Sequence, residues 1–288
     1  MPESAATLTP DVVERIDPQG TLLPVVFDSP HSGSVYPIDF GHSLALEQVR
    51  LSEDAFIDEL YAAAPSFGAV LVRALFPRSY IDPNRASDDI DADMLAEPWS
   101  GPINPGPKTE LGVGLIPTRE PGGPMYDRKL SLDEVKHRID HYWRPYHQAV
   151  RGALDDCHHR FGTVWHLNCH SMPSMSTEVS PEGPGVARPQ ICLGDRDGTT
   201  CAPEFTHAVA DAFSALGYEV TVNVPYKGVE LVRRYSDPAI GRHSLQIEIN
   251  RALYMDETRI AKSENFARLA ADITRLIREI CDYAEARL

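Results

Sequence analysis

The fold is decided by Leu22-Leu23-Pro24-Val25-Val26-Phe27-Asp28-Ser29-Pro30-His31-Ser32-Gly33, in which a short apolar run passes directly into a polar loop. Apolar runs of this length without alternation are typical of strands that are buried on both faces of a sheet. Ligands in open α/β sheets collect where the parallel strands end. The stretch therefore predicts an inner strand over residues 22–27 and a candidate functional residue, His31, just beyond it.

Strands and helices are predicted to alternate along the chain, which favours an α/β fold. We expect a mixed, mostly parallel central sheet with helices on both faces, in a single domain over residues 1–288. Two segments, at about 86–126 and 172–189, are rich in Pro and Gly and are predicted to be long irregular loops. The further predicted strands are residues 69–75, 164–167, 190–193, 220–224 and 245–249, and the predicted helices are residues 44–64, 131–160, 202–216 and 263–286.

Composition excludes several classes of function. The chain has 288 residues, 42% of them hydrophobic, and 27 basic against 42 acidic residues, a formal net charge of −15. This balance argues against a nucleic-acid or anionic membrane surface. No long apolar stretch and no signal-like N-terminus are visible, so we expect no membrane span and a cytoplasmic location. The five cysteines contain no C-x-x-C motif and predict neither a disulfide framework nor a cysteine-based zinc site.

A second histidine occupies a position like that of His31. Residues 164–167 run into Asn168-Cys169-His170-Ser171, so His170 follows a second predicted strand and the two histidines could share a metal ion. Catalytic zinc often has two histidines, one carboxylate and an open position. Asp54 and Asp58 are the candidate carboxylates, one turn apart on a predicted helix. Spacing alone favours ordinary structural histidines, because the chain has no H-E-x-x-H motif.

Polar and apolar side chains alternate along the last predicted strand. Glu248 lies on the polar side of this strand, and a buried carboxylate without a partner is costly. The pattern makes Glu248 a candidate site residue, although a solvent-facing edge strand would give the same alternation. The polar series is Ser244, Gln246, Glu248 and Asn250, and the apolar series is Leu245, Ile247 and Ile249.

Basic residues, with one asparagine among them, lie near the same strand ends. Arginine binds carboxylates through two parallel hydrogen bonds, and a neighbouring asparagine adds a donor. In so acidic a chain these residues predict a small anionic substrate, whereas Lys227 and Arg234 taken singly are better explained as surface cations. The set is Arg78, Asn84, Arg85, Lys227, Arg233 and Arg234.

Taken together, these strings resemble the N-formylglutamate amidohydrolase family. They run in order from about residue 22 to residue 257, so the resemblance covers most of the chain. It implies a fold similar to that of zinc carboxypeptidases and aspartoacylase, with a mononuclear metal site. Among the matching strings are Ser29-Pro30-His31-Ser32-Gly33, Asp82-Pro83-Asn84-Arg85, Cys169-His170-Ser171 and His243-Ser244-Leu245-Gln246-Ile247-Glu248.

The resemblance also implies a reaction and a role for each candidate. It implies a metal-dependent amidohydrolase that cleaves N-formyl-L-glutamate to formate and glutamate in histidine degradation. The alternatives are a hydrolase of another N-acyl amino acid and a non-catalytic protein that binds a metal or an acidic ligand. The implied roles are metal ligand for His31, Asp54 and His170, with one divalent ion, Zn²⁺; general base for Glu248; oxyanion contact for Arg78; and substrate binding for Asn84, Arg85 and Arg233.

Overall fold

A computed structural model describes residues 7–178, 180 and 182–288, and eight strands form one sheet at its centre. The strands are β1 Thr7–Thr9, β2 Val13–Ile16, β3 Val25–Ser29, β4 Val70–Ala74, β5 Val164–Met172, β6 Ile191–Gly194, β7 Val220–Val222 and β8 Arg242–Asn250. The sheet order is β1-β2-β4-β3-β5-β8-β6-β7, in which β4, β3, β5 and β8 are parallel neighbours. Strand β2 is antiparallel to β4 and to β1, and β6 is antiparallel to β8 but parallel to β7. The predicted mixed, mostly parallel sheet is thus confirmed.

Helices cover both faces of the sheet. On one face, the helix over residues 144–161 packs against an apolar cluster that includes Val26 and Val72. On the other face, the helices over residues 203–215 and 266–285 pack against Phe27 and Leu167. None of the helices in the described ranges is long and apolar enough to cross a membrane. The helices are α1 Leu46–Val49, α2 Ile57–Leu60, α3 Pro107–Glu110, α4 Leu132–Arg138, α5 Arg144–Phe161, α6 Pro203–Ala215, α7 Glu230–Tyr235 and α8 Phe266–Glu285, and a π-helical turn, Ile139–Trp143, joins α4 to α5.

The predicted helix over residues 44–64 is wrong. The segment contains only the short helices α1 and α2 and a 3₁₀ turn, and Phe56 has a left-handed backbone conformation with φ of 68°. The reason is a pair of long-range hydrogen bonds to the loop after β3. The backbone N–H of Asp54 donates to the carbonyl oxygen of His31 at 3.0 Å, and the Ser32 hydroxyl donates to the Asp54 carbonyl oxygen. Asp54 therefore lies in an extended connection and does not share a helical face with Asp58.

The other boundaries shift by smaller amounts. Strand β5 continues to Met172, so His170 lies within it, and the edge strand β1 and its neighbour β2 were not predicted. The helix predicted from residue 131 does begin there, because Ser131 and Glu134 form a capping box. The long loop at 86–126 contains α3 and a small hairpin, Arg119–Glu120 with Gly123–Pro124.

Gly33 allows the loop after β3 to pass against the loop after β4. A Cβ atom placed on Gly33 would lie 2.2 Å from the carbonyl oxygen of Phe76 and 2.4 Å from the carbonyl carbon of Leu75. Both are backbone atoms, so one of the two loops would have to move. Gly33 lies two residues from His31, and this close approach therefore helps to place the histidine.

We expect Gly33→Ala to lower the free energy of unfolding by about 1–3 kcal/mol, the usual cost of overpacking a tight contact. The matched control is Gly20→Ala, since a Cβ atom there meets nothing within 4 Å. The control should change stability by less than about 1 kcal/mol. Urea denaturation of both variants measures the difference, and equal midpoints would show that the contact at Gly33 carries no strain.

Candidate metal and active site

The polar side chains of the candidate site lie at the carboxyl ends of parallel strands. In the register of β5 and β8, His170 is the partner of Glu248 and Asn168 is the partner of Gln246. In the register of β3 and β5, Asp28 is the partner of Asn168. Side chains at paired positions point to the same face of a sheet. One row of polar groups therefore crosses three strands inside an otherwise apolar core.

His31, Asp54 and His170 converge on one point. Nδ1 of His31 lies 3.0 Å from Nδ1 of His170, and Oδ2 of Asp54 lies 3.2 Å and 3.1 Å from these two nitrogen atoms. All three side chains are buried. The structure thus brings together the three residues that the sequence proposed as metal ligands, from β5 and two loops.

The hydrogen-bond network assigns the proton on each imidazole. Nε2 of His31 lies 2.7 Å from Oδ1 of Asp82, and Nε2 of His170 lies 2.7 Å from Oδ1 of Asn168. Both oxygens accept, so each Nε2 carries the proton; Nδ2 of Asn84 lies farther from His170, at 3.1 Å. Both Nδ1 atoms therefore present lone pairs toward the same point.

This donor set fits a divalent metal ion. Three electron-pair donors without a proton between them repel one another unless a cation lies among them. Tetrahedral zinc with bonds of about 2.0–2.1 Å separates its ligand atoms by about 3.3 Å, close to the separations here. Metal-bound histidines commonly donate their other ring N–H to a carboxylate, as Nε2 of His31 does to Asp82.

Asp54, and not Asp58, supplies the carboxylate. Oδ1 of Asp54 accepts hydrogen bonds from Nη2 of Arg251 at 3.0 Å and from the Ser171 hydroxyl at 3.2 Å, which leaves Oδ2 to face the histidines. Burial would raise the pKa of Asp54, but the neighbouring His170 and His31 hold it well below its usual range. Asp58 instead binds Arg73 at 2.9 Å.

Glu248 lies on β8, an inner strand between β5 and β6, so the edge-strand explanation does not apply. Its Oε1 accepts a hydrogen bond from Nε2 of Gln246 at 2.9 Å. Burial and the charge of Asp54 raise the pKa of Glu248 well above its usual value. A raised pKa makes the ionised carboxylate of Glu248 a stronger base than that of an ordinary glutamate, which suits a general base.

A cavity of about 440 Å³ opens beside these groups. This volume lies in the range of small-molecule sites. Arg78 lies in its wall and donates from Nη2 to Oδ2 of Asp82 at 2.6 Å, so Asp82 joins Arg78 to His31. Burial lowers the pKa of Arg78, but the charges of Asp82 and Asp54 outweigh this effect and raise it. Arg78 therefore remains a cation next to the histidine cluster.

Arg85 and Asn84 line the same cavity. Arg85 is buried and donates from Nε to the Val113 carbonyl oxygen at 3.0 Å and from Nη1 to the Asn84 carbonyl oxygen at 2.9 Å. Oδ1 of Asn84 accepts from the backbone N–H of Leu231 at 2.9 Å. Both side chains are thus fixed in orientation by the surrounding backbone.

The structure does not bring Arg233 into the cavity. An extended segment would point Arg233 and Arg234 to opposite faces and so favour Arg233 alone, but residues 230–235 form the helix α7, and this argument for Arg233 is wrong. Both guanidinium groups bind the carboxylate of Glu230, each at 2.5 Å, and the Arg233 side chain is 55% exposed. We withdraw Arg233 as a substrate-binding residue.

Sequence reasoning missed four residues that the structure places around the site. Each is polar and follows or lies within an inner strand or an adjacent loop. None was given a role from the sequence, although Asp82 belongs to the matching string Asp82-Pro83-Asn84-Arg85. Asp82 and Asn168 hold the histidines, Arg251 holds Asp54, and Lys108 lines the cavity.

Comparison with known proteins gives consistent matches. The sequence model of the family described as N-formylglutamate amidohydrolase matches residues 23–255. An N-formylglutamate deformylase of Pseudomonas putida is 31% identical over 241 residues, which cover 82% of this chain and 83% of that protein.

Solved structures agree with these matches. The crystal structure of N-formylglutamate amidohydrolase from Ralstonia eutropha JMP134 superposes with a TM-score of 0.91 at 45% identity, covering 96% of this chain and 100% of that one. The gene product Atu2144 from Agrobacterium tumefaciens superposes with a TM-score of 0.65 at 18% identity, covering 95% and 96% of the two chains, and shows a shared fold.

Proposed function

Because the chain belongs to the N-formylglutamate amidohydrolase family, we propose that it hydrolyses the amide of N-formyl-L-glutamate to formate and glutamate. The observation that carries the proposal is the convergence of His31, Asp54 and His170 beside a cavity that also contains Glu248 and Arg78. We further propose that one divalent metal ion, Zn²⁺, is held by these three residues. The role in histidine degradation and the cytoplasmic location stay predictions.

A bound divalent ion would supply Lewis acidity to the amide carbonyl and to water. The chain's own residues supply the rest of the chemistry. Glu248 takes a proton from the attacking water, whose oxygen adds to the formyl carbon. When the carbon–nitrogen bond breaks, Glu248 delivers that proton to the leaving amine, and formate departs. The raised pKa of Glu248 lets one side chain do both.

Arg78 has a different task. The carbonyl oxygen gains negative charge when water adds, and a fixed cation beside it stabilises that charge. Asp82 holds the Arg78 guanidinium in place through its Oδ2 atom, and its Oδ1 atom accepts the hydrogen bond from His31. Arg85, with Asn84 beside it, faces the cavity and would bind a substrate carboxylate.

A substrate panel tests the proposal. Metal-reconstituted protein is assayed for product release with N-formyl-L-glutamate, N-acetyl-L-glutamate, N-formyl-L-leucine and a C-terminal glutamate dipeptide. We expect formate release from N-formyl-L-glutamate to exceed the turnover of each other compound. Faster turnover of another N-acyl amino acid would favour the alternative hydrolase, and metal binding without any turnover would favour the non-catalytic binding protein.

A further inference from the structure

The charges that line the cavity do not all have partners in it. Of its cationic groups, Arg78 binds Asp82 and Arg251 binds Asp54. A third cation, Lys227, binds Asp197 at 2.8 Å on the surface, where the lysine side chain is more than half exposed. Two cavity cations remain to be accounted for, Arg85 and Lys108.

Within the part of the chain that the structure describes, the ammonium group of Lys108 forms neither a hydrogen bond nor an ion pair. Arg85 donates to two backbone carbonyl oxygens, and its ion pair with Asp82 is long, at 3.8 Å. The cavity therefore presents two cations that no carboxylate of the described residues binds at hydrogen-bond distance, and N-formyl-L-glutamate has two carboxylates.

The acidic groups of the cavity do not neutralise these cations. Asp82 is bound to Arg78, and Glu182 is bound to Arg188. Burial raises the pKa of Glu120 to about 7, so this group is only partly ionised at neutral pH. The carboxylate of Glu248 accepts a hydrogen bond from Gln246 and, among the described residues, forms no ion pair with Lys108 or Arg85.

The position of Lys108 is fixed relative to Arg85. Lys108 lies in α3, and its carbonyl oxygen accepts from the backbone N–H of Val113 at 2.9 Å, while Val113 in turn accepts from Nε of Arg85. Asp89 accepts hydrogen bonds from the Thr109 hydroxyl and from the backbone N–H of Gly106. The turn that carries Lys108 is thus tied to the segment that carries Arg85, so the two cations need little rearrangement to bind one ligand.

On these contacts, and resting on the proposed function, we propose that Lys108 determines specificity by binding the side-chain carboxylate of the acidic substrate, while Arg85 binds its α-carboxylate. Lys108 takes the place that the sequence had assigned to Arg233. The enzyme would therefore prefer dianionic N-formyl amino acids over monoanionic ones of the same shape.

The electrostatics of the free cavity support this assignment. Burial and the charges of Arg85 and Arg78 lower the pKa of Lys108 to about 8, against the opposing effects of Glu182 and Glu248. The charge of the Lys108 ammonium group is thus not balanced by the carboxylates around it. A bound substrate carboxylate would offset both the cost of desolvation and the repulsion between the cations.

The test compares N-formyl-L-glutamate with N-formyl-L-glutamine, which has nearly the same shape but a neutral side chain. We expect Lys108→Met to lower kcat/KM for N-formyl-L-glutamate about 10- to 100-fold, mainly through KM, as for loss of a hydrogen bond between charged groups. The value for N-formyl-L-glutamine should change less than about twofold, and Lys108→Arg should keep most of the preference. Lys136→Met, the same charge change on the exposed face of α4, should leave the ratio of the two substrates unchanged.

Equal losses on both substrates, or an unchanged ratio in Lys108→Met, would overturn the assignment. Failure of the proposed function is a separate result, because the wild-type protein would then release formate from neither compound. In that case binding measured by calorimetry still tests the role of Lys108. Lys108→Met should weaken binding of N-formyl-L-glutamate and leave that of N-formyl-L-glutamine unchanged. If the variant and the wild-type protein bound N-formyl-L-glutamate with equal affinity, the assignment of Lys108 would be rejected.

Discussion

Glu248→Gln should lower the rate of formate release by about 10²- to 10⁴-fold, the usual contribution of general acid–base catalysis. Glutamine has the size of glutamate but cannot accept the proton from water, so the chemistry is lost while the packing on β8 is kept. Metal content and unfolding midpoint should stay close to those of the wild-type protein. Among the described residues, the Glu248 side chain forms a hydrogen bond with Gln246 and none with the three proposed ligands.

Steady-state formate release, with metal content from mass spectrometry of the same samples, measures this prediction. Glu204→Gln is the matched control, since Glu204 is exposed on α6 and lies outside the cavity. Turnover of Glu248→Gln within tenfold of the wild-type rate would remove Glu248 from the mechanism.

A pair of aspartate variants should separate the two carboxylates that the sequence left open. Asp54→Ala removes a proposed metal ligand and leaves the buried Arg251 without its carboxylate partner. We expect its metal affinity to fall more than about 100-fold, because loss of a group that only supports a metal ligand already costs about 10- to 100-fold. Asp58→Ala breaks only a partly exposed pair with Arg73, and its metal affinity should stay near that of the wild-type protein.

Competition with a chelator measures both affinities, and thermal unfolding shows whether each variant is folded. Asp54→Asn keeps the shape of the side chain and serves if Asp54→Ala does not fold. A metal that stays bound in both Asp54 variants but is lost from Asp58→Ala would mean that the third ligand was misassigned.

The central part of the fold could be predicted because its signals are local. Buried parallel strands appear as short apolar runs, and parallel neighbours end at the same edge of the sheet. His31 and His170 follow or lie within two such runs on β3 and β5, so their meeting could be expected from the sequence. The alternation along β8 likewise placed Glu248 on the polar side.

The remaining features depend on contacts between distant residues. Asp82 meets His31 across 51 positions of the sequence, and Arg251 meets Asp54 across 197. No local pattern encodes such pairs. Residues 44–64 failed as a helix for the same reason, because hydrogen bonds to the loop after β3 outweigh their helical spacing.

The error at Arg233 has a related cause. The polar and apolar order of that segment suits a strand as well as one turn of helix, and six residues are too few for periodicity to decide. The helix α7 turns both Arg233 and Arg234 toward Glu230. The cation that we propose in its place is Lys108, which lies on the short helix α3 within a segment that shows no period in the sequence.

The most direct test of the account is formate release from N-formyl-L-glutamate by protein stripped with a chelator, measured while Zn²⁺ is added back and bound metal is counted. The account predicts negligible activity without metal, and a linear rise that saturates at about one ion per chain. Full activity in the metal-free protein would contradict it.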